Sequence, residues 1–174
     1  MVHRSSLASR YQETSYKILT RWYRVPALLH KMDGSIPDCC WRCGAEGGTM
    51  MHIFWTCPSL RDFWREVALV IKELTSVEVG EDPALCLLHL TRGSIRKYRK
   101  SLIAHLLNAA KACIPAMWRQ TCPPTRQMWT ARVNEIHRME LLTAALNNSE
   151  EQTRIRWSPW LQFTSSDEYI QLNL

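Results

Sequence analysis

The chain has 174 residues, 46% of them hydrophobic, and a formal net charge of +6. This length is enough for one domain with a buried core, and this apolar content excludes a disordered chain. The opening residues, MVHRSSLASRY, lack the apolar stretch of a secretion signal, and the longest apolar runs are broken by Lys72, His105 and Lys111. We therefore expect a soluble intracellular protein without a membrane partner.

Positive charge is unevenly distributed along the chain. Residues 83–138 hold ten lysines and arginines against one acid, Glu135, and residues 1–57 hold seven against four. The segments 58–82 and 139–174 have the opposite sign. Charge concentrated in this way favours a polyanionic partner, although single lysines and arginines are usually just solvated surface.

Helical periodicity dominates the predicted elements. Residues 1–37 are expected to form a basic helical segment, in which apolar residues recur at helical spacing before and after Pro26. A stronger helical pattern follows Pro58, where Ser59 is placed to act as the N-cap. The apolar stripe of that helix consists of Leu60, Phe63, Trp64, Val67, Val70, Ile71 and Leu74.

The second half of the chain follows the same pattern. Residues 76–83 are predicted to be a loop, and a long helix to run from about Ser94 until Pro115 kinks or ends it. Thr125 is expected to cap the next helix, and NNSEEQ at 147–152 to be a polar linker.

Together these elements predict a mostly α fold, a small helical domain with a compact irregular loop inserted near the N-terminal third. The loop occupies residues 38–58 and the helical domain residues 59–146. The remaining residues, 147–174, are expected to be the linker and a C-terminal tail, RWSPWLQF among them, that either docks or extends freely.

The segment CCWRCGAEGGTMMHIFWTC carries the pattern C-x2-C-x8-H-x4-C, formed by Cys40, Cys43, His52 and Cys57. Zinc is held by four nitrogen or sulfur ligands in a tetrahedron, and two cysteines separated by two residues can wrap one corner of it. The histidine and the last cysteine can close the site from a short helical turn. Four filled positions leave none for water, so the zinc would be structural rather than catalytic.

A plainer interpretation is that these are buried free cysteines beside an ordinary histidine, since reduced cysteine is often buried. Seven cysteines in a reducing compartment nevertheless favour metal ligands over a disulfide framework. Cys39 competes with Cys40 for the first ligand position. We prefer Cys40 because it gives the two-residue spacing.

Three segments of the chain resemble the C-terminal end of the second open reading frame polyprotein of LINE-type non-LTR retrotransposons. They are YKILTRWYRVPALLHKM, CCWRCGAEGGTMMHIFWTCPSLRDFW and RQMWTARVNEIHRMELLTA. The resemblance spans about residues 12–160, and its most specific part runs from Trp22 to Trp64. It implies a reverse-transcriptase-associated zinc-binding region with the same four ligands, and places the aromatic positions of the family motif at Trp41, Trp55, Phe63 and Trp64.

In that family the region is thought to help bind element RNA and to support target-primed reverse transcription. The resemblance therefore implies an RNA partner, a polymerase body as a further partner, and a ribonucleoprotein in cytoplasm and nucleus. Paired aspartates of a polymerase centre are missing, because the five aspartates are scattered singly. We expect no enzymatic activity, and a chain that is either a fragment of such an element or a host protein derived from one.

Two groups of residues are the candidate nucleic-acid contacts. In the first, Trp41 and Trp55 could stack on unpaired bases while Arg42 and the helically spaced Lys17, Arg21 and Arg24 contact phosphates. Trp22 and Trp64 lie on apolar stripes and are predicted to be core residues instead. The second group is RGSIRKYRK, which contains Arg92, Arg96, Lys97, Tyr98, Arg99 and Lys100.

Two other functions stay open. The zinc loop could clamp two helices of a protein–protein module that docks on a polymerase body, or the chain could be a decayed fragment without function. Salt-dependent binding to single-stranded RNA would favour the nucleic-acid-binding function over both the docking module and the decayed fragment.

Overall fold

The computed structural model describes residues 9–80, 82–90 and 95–166, with side chains from residue 13 onward. Within these ranges the fold is helical and has no β-strand, so the predicted mostly α class is confirmed. None of the helices in the described ranges is long and apolar enough to cross a bilayer. The helices are α1 (Ser9–Leu19), α2 (Pro26–Met32), α3 (Arg61–Thr75), α4 (Pro83–Leu88), α5 (Lys97–Ala116), α6 (Arg126–Leu146) and α7 (Glu150–Thr164).

Helix α5 lies at the centre and contacts α1, α3, α4, α6 and α7. Its side chains are buried around most of the circumference, and Leu106, Leu107, Ala109 and Ala110 are completely inaccessible. The helix begins at Lys97 rather than near Ser94 and ends one residue after Pro115. The prediction that this proline stops the helix is therefore confirmed.

A single buried lysine of α5 links this helix to α1 and α4. Lys111 has no exposed surface, and its Nζ donates to Ser15 Oγ on α1 at 2.6 Å and to the Leu87 carbonyl of α4 at 3.1 Å. His89 Nε2 lies 3.0 Å from the same Nζ. Because burial disfavours the charged form, the pKa of Lys111 falls to about 7.

Helix α3 carries the predicted apolar stripe, but its start differs from the prediction. A 3₁₀ turn, Pro58–Leu60, precedes the helix, so Ser59 lies inside that turn and is not the N-cap. Proline fixes φ at a value that suits such a turn, which explains the displacement. Helix α4 was not predicted; it begins at Pro83, the last residue of the predicted loop 76–83, and Asp82 Oδ1 accepts from Ala84 N–H at 2.9 Å as its N-cap.

The predicted N-cap of α6 is confirmed, since Thr125 Oγ1 accepts from the Met128 N–H at 3.2 Å. The predicted linker at 147–152 is wrong beyond residue 149, because α7 begins at Glu150. Trp157 and Trp160 of α7 are completely buried against α5 and α6, where Trp157 stacks on His105 with 5.3 Å between ring centroids. Residues 150–164 are therefore part of the core.

Pro159 lies inside α7 without breaking it. A proline has no N–H to donate to the carbonyl four residues earlier, which here belongs to Ile155. Ser158 Oγ donates to that carbonyl instead, at 3.0 Å. The neighbouring hydroxyl thus replaces the missing backbone bond and lets both tryptophans face the same core.

Candidate metal centre and its surroundings

The four side chains of the cysteine–histidine pattern converge on one point. Their ligand atoms all lie within 4.8 Å of one another, with 3.9 Å between the sulfurs of Cys40 and Cys57 and 3.2 Å between Cys43 Sγ and His52 Nε2. Tetrahedral zinc with Zn–S bonds of about 2.3 Å places its sulfurs about 3.7 Å apart. The arrangement fits a metal site, and Cys39 is not part of it, which decides the ambiguity in favour of Cys40.

The first two ligands lie on a tight loop. Gly44 N–H donates to the Cys40 carbonyl and Cys40 N–H to the Ala45 carbonyl, both at 2.8 Å. Gly44 has φ +75°, a conformation that side chains with a Cβ rarely adopt. The turn therefore depends on glycine at this position to bring Cys43 back beside Cys40.

Gly48 fixes the loop against the start of α2. A Cβ at this position would lie 2.9 Å from both the Asp38 carbonyl oxygen and Pro26 Cγ, so only glycine fits. Its N–H donates to that same Asp38 carbonyl at 2.7 Å, and its carbonyl accepts from Ala27 N–H at 3.2 Å. The metal loop is thus attached to a helix on its N-terminal side.

The other two ligands lie at the two ends of a π-helical turn, His52–Thr56, with His52 as its first residue and Cys57 as its C-cap. Cys57 N–H donates to the His52 carbonyl at 3.0 Å, and His52 N–H donates to Thr49 Oγ1 at 3.2 Å. On a regular α-helix, residues five apart point about 140° away from each other. The wider turn brings both side chains to the same side, as π-helical turns often do at functional sites.

The surroundings shift the pKa values of three of the four ligands in different directions. Burial, reinforced by the neighbouring thiols of Cys40 and Cys57, raises the pKa of Cys43 to about 11. Burial also lowers the pKa of His52, with a contribution from Arg42, so the imidazole is neutral and can be a ligand. Burial opposes ionisation of Cys57, but hydrogen bonds led by the Ser59 N–H outweigh it and lower its pKa.

Arg42, which was predicted to contact a phosphate, is buried inside the metal loop. Its Nη1 donates to the Ile53 carbonyl at 3.2 Å, and a hydrogen bond from its side chain helps to lower the pKa of Cys57. The guanidinium is not a ligand but stabilises the ligand set through hydrogen bonds, as residues around metal sites commonly do. We therefore remove Arg42 from the candidate nucleic-acid contacts.

Trp41 and Trp55, which were predicted to stack on unpaired bases, are half-buried. Trp41 packs edge-on against Trp118 at 5.3 Å, and the guanidinium of Arg119 lies 5.6 Å from its ring. Trp55 contacts Trp64 at 5.0 Å. Trp64 is buried, as predicted, and its Nε1 donates to the Phe54 carbonyl at 3.0 Å.

The end of α1 differs from the prediction. The helix ends at Leu19 and Arg21 adopts φ +53°, so Lys17, Arg21 and Arg24 do not share one helical face. Trp22 was predicted to be a core residue, but it is 68% exposed because the chain turns away before it. Lys17 pairs with Glu13 at 2.7 Å, whereas Arg21 and Arg24 are exposed on either side of the exposed indole.

The second basic group lies at the start of α5. Arg96 and Lys97 are exposed, Arg99 and Lys100 are half-buried, and Arg92 lies outside the described residues. Tyr98 is 43% exposed, and hydrogen bonds from Arg96 and then Arg99 lower its pKa. The group therefore presents cations around an accessible aromatic ring.

Sequence reasoning missed Arg119, which follows Trp118 at the end of α5 and covers Trp41. The signal was the pair Trp118-Arg119 directly after a helix that Pro115 ends. Pairing of an arginine with a tryptophan face can be recognised only once the two segments are seen together, because Trp41 lies far away in sequence.

Comparison with models of protein families finds no match to this chain. The resemblance to the retrotransposon region therefore stays a prediction based on the motif residues.

Proposed function

We propose that this protein is a non-catalytic helical module in which zinc organises a surface for single-stranded nucleic acid, RNA in particular. The observation that carries the proposal is the convergence of three sulfurs and one imidazole within 4.8 Å. Three cysteines and one histidine form a ligand set that binds zinc in preference to magnesium or calcium. All four positions are filled by protein, which supports a structural role for the ion.

The surface beside the metal loop has the chemistry of a single-strand site. Trp22 is exposed between Arg21 and Arg24, and Tyr23 behind it packs on Trp118 at 5.2 Å. Through Trp118 this segment reaches Trp41 and its covering Arg119. Aromatic faces can stack on unpaired bases, at about 1–3 kcal/mol per base, while the arginines contact phosphates.

The start of α5 supplies a second basic surface. Four cations, Arg96, Lys97, Arg99 and Lys100, surround the helix N-terminus, where they oppose the positive end of the helix dipole. No acidic residue occupies the first turn. A bound phosphate would relieve this repulsion, which supports an anionic partner here.

The family resemblance suggests the biological setting. By this proposal the chain corresponds to the zinc-binding tail of a non-LTR retrotransposon reverse transcriptase, helps to hold template RNA for target-primed reverse transcription, and acts within a ribonucleoprotein. It would have no polymerase or nuclease activity of its own.

The test is a zinc measurement combined with RNA titration at two salt concentrations. We expect one zinc per folded chain, and binding of a single-stranded RNA that weakens steeply as salt increases. Folded protein with substoichiometric metal would reject the zinc centre. A zinc-loaded, folded chain without RNA affinity would reject the nucleic-acid function, and a chain that stays unfolded with zinc would favour a decayed fragment.

A protein–protein docking module is the second candidate. Helices α6 and α7 expose an apolar group whose members are 47–85% accessible: Met139, Leu142, Leu146 and Ile155. Exposed apolar side chains in such a group often mark a protein contact. Binding of a reverse-transcriptase body by the full chain, lost in Leu142→Glu and kept with RNA absent, would favour this function.

A further inference from the structure

A groove of about 560 Å³ lies on the C-terminal side of the metal loop. Its walls are the π-helical turn, the exposed face of α3 and residues 78–80. This volume is within the range of small-ligand sites in proteins. The groove shares Trp55 and Cys57 with the metal loop, so its shape is tied to the metal centre.

One end of the groove is aromatic. Trp55 is half-buried and lies at 49° to Trp64, with 5.0 Å between the ring centroids. Trp64 is fixed from below by its bond to the Phe54 carbonyl and by contact with Phe63 at 5.7 Å. Trp55 therefore rests on a rigid support, which is what a stacking platform for a planar base requires.

The wall along α3 is cationic. Arg61, Arg65 and Lys72 all line the groove, and on a helix they lie within about 17 Å along its axis. Arg65 pairs with Asp62 and Lys72 with Glu78, but all four of these side chains are exposed, and such pairs contribute little and can exchange for another anion. Arg61, beside the aromatic end, has no ion-pair partner within the part of the chain that the structure describes.

We propose that this groove binds a nucleotide of a single strand, with its base on Trp55 and its phosphate at Arg61 and Arg65. The inference rests on the proposed function and adds a defined subsite to it. Because Cys57 is both a ligand and part of the lining, binding in the groove depends on the metal.

A peptide with acidic and apolar side chains is the main competitor for the same groove. The cationic wall would bind its acidic residues, and Ala68, Leu69 and Val79 form an apolar end. Two features favour the nucleotide. Arg61 precedes Trp64, which supports the Trp55 indole, by one helical turn of α3, whereas Ala68 and Leu69 lie about two turns further along, and the groove offers no strand edge for an extended peptide among the described residues.

The experiment uses the zinc-loaded full chain and a uridine homopolymer, followed by fluorescence anisotropy at low salt. Arg61→Glu and Leu69→Glu place a negative charge in the groove, and Leu69 is 61% exposed, so the fold should tolerate the change. We expect each to weaken RNA binding at least tenfold. The matched controls, Arg138→Glu and Leu161→Glu, alter exposed residues of α6 and α7 and should bind like wild type.

A second measurement identifies the site directly. Titration with uridine monophosphate should shift the NMR signal of the Trp55 indole N–H, assigned with Trp55→Phe, and chelation of zinc should abolish the shift. If the groove variants and the controls bound RNA equally well, the proposal that the groove binds a nucleotide would be overturned, but the proposed function would stand. A Trp55 shift with a short Glu-Leu repeat peptide and none with the nucleotide would also overturn it, whereas absence of any RNA binding by wild type rejects the function itself.

Discussion

Cys43 Sγ and His52 Nε2 lie 3.2 Å apart although they belong to different halves of the metal loop. One half is a glycine turn and the other a π-helical turn; Ile53 and Phe54 bury the second half in the core, whereas residues 44–49 of the first contribute no large apolar side chain. A shared ion would connect them, and metal binding of this kind is worth on the order of 10 kcal/mol in small zinc modules.

Cys43→Ser and His52→Ala should therefore each lose the metal and the structure of residues 38–58. Mass spectrometry under native conditions measures the zinc, and amide hydrogen exchange measures protection in the loop. Cys39→Ser and Cys122→Ser are the matched controls, because these thiols lie outside the cluster, and both should keep one zinc. Loss of zinc in the Cys39 variant would contradict the assignment of Cys40.

Metal affinity should rise with pH. The pKa of Cys43 is raised to about 11 by burial and by its neighbouring thiols, so this thiol is protonated in the metal-free protein throughout the neutral range. Binding must expel that proton, and each pH unit of acidification therefore weakens binding about tenfold through this one thiol. Competition with a chromogenic chelator at pH 6.5 and 7.5 measures the change, and a pH-independent affinity would contradict it.

Removing the cations at the start of α5 should weaken RNA binding and reduce its salt dependence. Alanine at Arg96, Lys97, Arg99 and Lys100 removes up to four phosphate contacts, which lowers the log–log salt slope by up to about 3 for a single strand. Titrations at several salt concentrations give both slopes. An equal slope in the variant would show that this surface takes no part.

Trp157→Ala should destabilise the protein by about 3–5 kcal/mol, because it empties a fully buried site between α5, α6 and α7. Ile155→Ala, on the same helix but 58% exposed, should change stability by less than about 0.5 kcal/mol. Urea unfolding of the zinc-loaded proteins measures both. If Trp157→Ala lowered the free energy of unfolding as little as Ile155→Ala does, the assignment of α7 to the core would be contradicted.

Lys111 should make stability increase with pH. Its pKa is about 7 in the folded protein against 10.5 for an ordinary lysine, so the unfolded chain binds the extra proton between these two values. Stability should rise across that window by up to about 1.4 kcal/mol per pH unit from this residue, and stay flat below it. Lys111→Met should lose this slope, measured by unfolding at pH 7.5 and 9.5; an unchanged slope would contradict the assignment.

The metal ligands and most helices could be predicted because their signals are local. The spacing of Cys40, Cys43, His52 and Cys57 and the cap at Thr125 need only a few neighbouring residues to be recognised. Helix α7 was missed because Pro159 and a polar start suggested a linker. The burial of Trp157 and Trp160 stabilises this helix, and that burial depends on packing against α5 and α6, which the local sequence does not reveal.

The side chains that were misplaced depend on where the chain turns. Trp22 was predicted to continue the apolar stripe of the first helix, but α1 ends at Leu19, Arg21 is left-handed and the indole is exposed. Arg42 was expected at the surface, and the return of residues 52–57 covers it with the Ile53 carbonyl. Both outcomes follow from tertiary contacts that no periodic pattern encodes.

The position of α7 has a consequence for synthesis on the ribosome. Until Trp157 and Trp160 have emerged, a nascent chain leaves the apolar surface of α5 and α6 uncovered, including the ring of Trp129 that Trp160 contacts at 5.8 Å. The last metal ligand, Cys57, is in contrast translated 100 residues before Trp157, so the loop can acquire its ion while the rest is still being made. The ion can thus be bound while the apolar faces of α5 and α6 still await the helix that covers them.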